Sequence, residues 1–247
     1  MFRPSFLLIA TGDYKKWIPQ CVKSIQKYFP KSFIYLFGDE QPEDWQQEKF
    51  FKIAHQKWPY VTLYRFNYFL QAQDHLIGEY FYFIDIDAKF VRKPEIQGDL
   101  VAVRHCAYFF DQDNQQKFNI KKPDELRLPQ EINTKSIFYN YKFNKYYGGG
   151  FFGGFREEFF KLCKWCDEGI NKDVDHGVIP IHNDETAMNA YFTLYPPTLE
   201  LNPSYHYPEN DDYFSKRCWG GHKPFKPVIF LHDKFKEKGE KIYRLQT

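Results

Sequence analysis

The stretch from Phe6 to Asp39 constrains the fold most. Phe6-Leu7-Leu8-Ile9-Ala10 is a continuous apolar run of strand length, the pattern of a strand covered on both faces. Thr11-Gly12-Asp13 breaks it. Trp17, Cys21, Ser24, Ile25 and Tyr28 then recur at helical spacing, and Pro30 ends that helix. Phe33-Ile34-Tyr35-Leu36-Phe37 reads as a second strand, closed by Gly38-Asp39. Strand, helix and strand in this order make a βαβ unit. Such a unit predicts an α/β fold with a parallel sheet, because a crossover helix returns the chain in the same direction.

The rest of the chain fits that frame. Val61 to Leu63 reads as a short strand, about Arg65 to Ile77 as a helix, and Tyr80 to Ile84 and Leu100 to Arg104 as strands. About Asp111 to Asn144 is polar and irregular, a long loop of the functional kind. Gly148 to Gly154 reads as a glycine-rich turn region. A helix carrying Phe159 follows, and another starts near Asp184 after Pro180. With 247 residues and no repeat or linker, a single domain over 1–247 is expected. The five cysteines are odd in number and irregularly spaced, unlike a secreted disulfide framework. Cys163 and Cys166 form a C-x-x-C. They also share a helical stripe with Phe159, Leu162 and Ile170, which favours a core role over zinc or redox chemistry. Net charge is only +2, so no nucleic-acid partner is expected. The apolar run at Phe6 to Ala10 is too short for a membrane anchor, and the chain reads as cytoplasmic or as a soluble catalytic fragment. Aromatic residues make up 21%, which serves either a core or sugar and base stacking.

Asp85-Ile86-Asp87 carries the clearest chemistry. Strand alternation would set both carboxylates on one side, at the C-terminal sheet edge where open α/β sheets bind ligands. Paired hard oxygens suit Mn²⁺ or Mg²⁺, which can also bridge a diphosphate. Asp184-Glu185, after His182-Asn183, is a second acidic pair; Asp184 alone reads as a helix N-cap. The glycine run departs from the dinucleotide G-x-G-x-x-G. Its aromatic-flanked glycines suit close approach to a ligand or tight turns.

These pieces in this order resemble family 6 of the glycosyltransferases, which includes the blood-group A and B transferases, α-1,3-galactosyltransferase and soluble bacterial members. The resemblance rests on Ile9 to Tyr14, Asp85-Ile86-Asp87, His105, Tyr146 to Gly154, Asp184-Glu185 and Asn202-Pro203-Ser204-Tyr205. It implies a GT-A fold, a Rossmann-like mixed sheet with flanking helices. The implied reaction is retaining α-1,3 transfer of GalNAc or galactose from a UDP donor to a galactose-containing glycan. By the same resemblance the N-terminal half binds UDP, while the C-terminal half binds acceptor and ends in a closing tail.

The implied donor residues are Ile9, Ala10, Thr11, Tyr14, Arg65, Asp85, Asp87, Gly149, Gly150, Asp184 and Lys234, with metal on Asp85 and Asp87. Glu185 would be the carboxylate beneath the anomeric carbon, acting as nucleophile or as charge stabiliser. His105, Gly148 and His182 would meet the acceptor, and a side-chain-free Gly150 would leave room for GalNAc. His182-Asn183 stands where the family usually has Trp-His, and the acceptor-loop Arg-Arg is not evident. Two other readings fit the residues: a GT-A enzyme using another UDP-sugar, and a sugar-binding protein without catalysis.

Overall fold

The computed structural model describes residues 2–120, 126–219 and 221–232. A seven-stranded sheet runs in the order β3-β2-β1-β4-β7-β6-β8. Its strands are β1 (Pro4–Ala10), β2 (Phe33–Gly38), β3 (Lys49–Lys52), β4 (Tyr80–Ile84), β6 (Leu100–Arg104), β7 (Tyr147–Phe155) and β8 (Leu199–Leu201). A small sheet joins β5 (Ala88–Phe90), β10 (Ile229–Leu231) and β9 (Tyr207–Pro208). The helices are α1 (Ile18–Tyr28), α2 (Tyr60–Leu63), α3 (Arg65–Ala72), α4 (Gln112–Phe118), α5 (Arg156–Asp175), α6 (Asp184–Leu194) and α7 (Asp211–Cys218).

Period-two alternation sorts the apolar residues into two layers. Phe6, Leu8, Tyr82 and Ile84 pack on one face with Ile25 and Cys21 of α1. Leu7, Phe81 and Phe83 face the other way, onto Phe66 and Phe69 of α3 and Phe159 of α5. Many of the aromatics are spent here: Tyr82 stacks on Phe151 at 5.6 Å, and Phe81 meets Phe159 at 6.0 Å. All five cysteines are free and buried, and Cys163 and Cys166 lie in the core as their stripe predicts.

The sheet is mixed, as the family resemblance implies: β1 pairs parallel with β2 and β4, but β7 runs antiparallel to both β4 and β6. Three local expectations need correction. The glycine-rich segment is an inner strand, not a turn region. Glycine is required there because neighbouring backbone comes so close. A Cβ on Gly153 would sit 2.1 Å from the Phe81 carbonyl oxygen, and Gly154 has φ +145°. Val61 to Leu63 belongs to α2 rather than to a strand, since Thr62 and Leu63 donate backbone N–H groups to Pro59 O. Asp184 is not the N-cap of α6. That position is Asn183, at φ +52°, and Asp184 is the first helical residue.

The polar segment before β7 is tied down by buried carboxylates. Asp173 of α5 accepts from the Ser136 hydroxyl at 2.5 Å and from Ile137 N–H at 2.8 Å. Glu131 accepts from Ile181 N–H at 2.8 Å, which anchors the approach to His182 and α6.

Candidate active site

The C-terminal ends of β1, β4 and β6 lie at one sheet edge. Because β7 runs the opposite way, its N-terminal end lies at that edge too, with Tyr147 opposite Arg104 and Phe151 opposite Ile84. Two adjoining cavities open there. One, of about 400 Å³, is lined by Ile9, Thr11, Tyr14, Phe83 and Asp87, among others. The second, of about 380 Å³, is lined by His105, Tyr146, Gly149, Gly150, His182, Asp184, Glu185 and His206, among others. Trp58, Thr62, Arg65 and Asp85 line both, so the cavities meet across them.

Asp85-Ile86-Asp87 leaves the strand rather than continuing it. β4 ends at Ile84, Asp85 N–H bonds Gly150 O at 2.9 Å, and Ala88 N–H bonds Asp85 O at 3.0 Å. This turn leaves Asp87 only 4% exposed, yet lining the first cavity. Ile86 is buried in the core beside it.

Glu185 sits in the first turn of α6, where the helix dipole favours an anion. Its Oε1 accepts from Gly149 N–H at 2.7 Å and its Oε2 from the Tyr146 hydroxyl at 2.9 Å. Burial pushes the Tyr146 phenol far above its ordinary range, helped by the Glu185 charge, so Tyr146 remains a donor. A Cβ on Gly149 would crowd Glu185 and Asp184 at 3.1 to 3.3 Å, which is why no side chain stands there. Asn189 holds α6 to β7: it accepts from Tyr147 N–H at 2.8 Å and donates to Tyr147 O at 2.9 Å.

Arg65 connects the two acidic pairs. It is 6% exposed, pairs with Asp184 Oδ2 at 3.1 Å, donates to Gly149 O at 2.8 Å, and lies 4.4 Å over the Phe83 ring. Burial raises the Asp184 carboxyl to about 7. Arg65 opposes that rise, while Glu185 and Asp85 add to it. One guanidinium thus stands among several carboxylates, an electrostatic setting that suits a divalent cation. The donor set fits as well, since Asp85 and Asp87 offer hard oxygen ligands to one cavity.

The histidines behave differently. His105 Nδ1 accepts from Ala107 N–H at 3.1 Å, which leaves the proton on Nε2. Burial lowers its imidazole to about 4, with His182 adding to the effect. His182 is lowered by burial too, against the pull of Glu185 and Glu131. His105, Cys106 and His206 offer one ligand atom each within 4.8 Å. Burial pushes the Cys106 thiol up, and the one lone-pair nitrogen of His105 already serves Ala107. That trio is a poorer metal cradle than the aspartates.

Among the expected residues, Ile9, Thr11, Tyr14, Arg65, Asp85 and Asp87 come together in the first cavity. His105, Gly149, Gly150, His182, Asp184 and Glu185 come together in the second. Ala10 does neither: it packs on the far side of β1 with Leu8 and Ile84. Gly148 lies behind the cavity wall, where a Cβ would meet His206 at 2.9 Å and His105 at 3.3 Å. Lys234 lies outside the described residues. The pattern reading missed Trp58, Thr62, Tyr108, Tyr146 and His206 as lining residues. Only Tyr146 carried a signal, as the aromatic next to the glycine run.

The chain resembles known glycosyltransferases over most of its length. It is 26% identical over 240 residues to "Globoside alpha-1,3-N-acetylgalactosaminyltransferase 1" of Gallus gallus, covering 90% of this chain and 63% of that one. It is 27% identical over 240 residues to "O-antigen biosynthesis glycosyltransferase WbnI" of Escherichia coli, covering 93% and 94%. "Histo-blood group ABO system transferase 1" of Rattus norvegicus is 24% identical over 154 residues, covering 60% and 41%. The chain thus spans less than two thirds of the animal relatives' length. Among the described residues no helix is long and apolar enough to cross a membrane. The mixed seven-stranded sheet with helices on both faces is the GT-A architecture. The family profile of "Glycosyltransferase family 6" matches residues 7–216, and the chain belongs to that family.

Proposed function

We propose that this protein transfers GalNAc, or more slowly galactose, from a UDP donor to a galactose-containing glycan, forming an α-1,3 linkage with retention. The observation that carries this reading is the seating of Glu185. Its carboxylate is held by two donors in a cavity that meets, across Asp85 and Arg65, the cavity lined by Asp87. A leaving diphosphate and a developing positive charge at the sugar thus have separate, adjoining partners.

Thr11 and Tyr14 at the end of β1 suit the uridine, with Tyr14 42% exposed at the cavity mouth. Asp85 and Asp87 would hold Mn²⁺ or Mg²⁺, whose chemistry here is to neutralise the diphosphate as a Lewis acid. Arg65 holds Asp184 in place and adds positive charge at the junction. Lys234, outside the described residues, would by the family resemblance meet the diphosphate. Glu185 stabilises the oxocarbenium charge. Since both of its oxygens already accept hydrogen bonds, the charge-stabilising role is favoured over nucleophilic attack. His105 and His182 line the acceptor side. Residues 1–247 would act as one catalytic unit. The five free cysteines suit a reducing compartment, so we propose that it works in the cytoplasm.

The test is a screen of UDP-sugars for hydrolysis and transfer, with and without Mn²⁺. Turnover of UDP-GalNAc above UDP-galactose, lost in EDTA, is expected. Turnover of UDP-glucose alone, or none despite tight glycan binding, would overturn the reading.

A further inference from the structure

Arg104 belongs to no part of the reaction described so far. It ends β6 directly before His105, and its side chain is 1% exposed. A cation buried that deeply needs charged partners. Its guanidinium forks between two of them: Nη2 lies 2.9 Å from Asp111 Oδ2, and Nη1 lies 3.2 Å from Glu200 Oε1. The same group stands 5.1 Å from the Phe109 ring centroid and 5.9 Å from that of Tyr147. The other oxygen of Glu200, on β8, accepts from the Tyr147 hydroxyl at 2.7 Å and from Lys145 Nζ at 2.9 Å. Asp111 caps α4 by accepting Asn114 N–H at 3.2 Å. Burial works against the Asp111 charge, yet Arg104 and the Asn114 bonds hold its carboxyl below the ordinary range. One guanidinium thus joins β6, β7, β8 and the start of α4.

We propose that Arg104 is a positioning residue for the acceptor. It fixes the far end of residues 105–111 against β7 and β8, and so sets where His105 and Tyr108 stand relative to Glu185. The inference rests on the transferase reading above. Residues 105–111 form one wall of the second cavity, which His105 and Tyr108 line. At the near end of this wall, His105 N–H bonds Tyr146 O at 3.0 Å. In its middle, Trp219 Nε1 donates to Cys106 O at 2.9 Å. At its far end, the charge of Asp111 meets Arg104. The groups assigned to the donor are held by other contacts: Arg65 pairs with Asp184, while Gly149 and Tyr146 hold Glu185. Releasing the Asp111 arm should therefore loosen acceptor binding and leave donor chemistry in place.

The test uses Asp111→Asn in the full chain. The amide oxygen can still accept from Asn114 N–H, so α4 keeps its cap, while the charge that meets Arg104 is gone. Glu200 still pairs with Arg104, so no buried charge is stranded. Transfer from UDP-GalNAc to lactose, N-acetyllactosamine and methyl β-galactoside is compared with UDP-GalNAc hydrolysis in the absence of acceptor. Acceptor KM should rise at least ~10-fold, within the range that a small misplacement of positioning groups produces. The kcat of hydrolysis and the affinity for UDP should stay within ~2-fold. Amide exchange of residues 106–110 should quicken at least ~10-fold, with residues 185–189 unchanged. Arg104→Lys keeps the charge but lacks the planar fork. It should raise acceptor KM too, and the double variant should do little more than either single one. A merely structural role would instead lower the melting temperature and scale hydrolysis and transfer down together, with acceptor KM unchanged. That result, or exchange and acceptor KM unchanged within ~2-fold in both variants, would overturn the role of Arg104 alone. A wild type that hydrolyses donor but uses none of these acceptors would overturn the galactoside-acceptor reading on which the inference rests. A wild type that binds UDP but turns over neither UDP-GalNAc nor UDP-galactose would overturn the transferase reading beneath it.

Discussion

Replacing Glu185 with Gln changes charge with little change in shape. The amide oxygen can accept from Gly149 N–H in place of Oε1, and the amide nitrogen can donate to the Tyr146 oxygen where Oε2 accepted from it. Tyr146 turns from donor to acceptor, Asn189 still ties α6 to β7, and the fold should be intact. What disappears is one negative charge facing the developing positive centre. At a separation of about 4 Å and an effective dielectric of about 20, that attraction is about 4 kcal/mol. At about 1.4 kcal/mol per decade it corresponds to nearly a thousandfold in rate. Asp184 supplies part of the lost field, although its carboxyl, raised to about 7, is only partly ionised at neutral pH. The expected fall in kcat is therefore at least ~100-fold, the scale of losing one preorganised charged group. Steady-state donor hydrolysis and transfer measure it, with calorimetric UDP binding and a thermal melt as controls. Near-normal kcat with unchanged UDP binding would refute the argument and leave Glu185 a helix-start residue.

Other outcomes follow from the same geometry. Asp85→Asn or Asp87→Asn should abolish Mn²⁺-dependent turnover with the melt unchanged, and full activity in EDTA would contradict it. Arg65→Leu strands buried Asp184 without its ion pair and should destabilise the fold by about 3 kcal/mol or more, read from denaturant midpoints. Gly154→Ala forces a side chain into φ +145° against the Asp99 carbonyl and should cost at least ~2 kcal/mol by the same measurement. Folding lowers the His105 pKa from 6.5 to about 4. Below pH 6.5 the unfolded chain therefore takes up a proton that the folded imidazole refuses. Stability from this residue is lost as pH falls from about 6.5 to about 4, a loss on the order of 3 kcal/mol. His105→Gln should flatten the melting profile across that window, and an unchanged slope would count against it.

Local pattern made much of this protein legible. The apolar run at Phe6 to Ala10, the stripe from Trp17 to Tyr28 and the aromatic run at Tyr80 to Ile84 became β1, α1 and β4, because strand and helix periods are properties of neighbouring residues. The buried pair Cys163 and Cys166 was legible for the same reason. Asp85-Ile86-Asp87 could be read as a candidate ligand pair because unpaired carboxylates are costly in a core, whereas Asp184-Glu185 stood out only through the family resemblance. What pattern reading missed depends on distant partners. The glycine run is an inner strand only because β4 and β6 take it between them, and in isolation seven residues with five glycines resemble a turn. Asp184 resembles a cap until Arg65, far away in sequence, comes within 3.1 Å of it. His206 has no local signature at all; it enters the site because the 3-10 helix before β9 packs against the glycines of β7. Periodicity and residue chemistry act over a few positions and can be read along the chain, whereas burial, pKa and ligand geometry arise from groups that only the folded topology brings together.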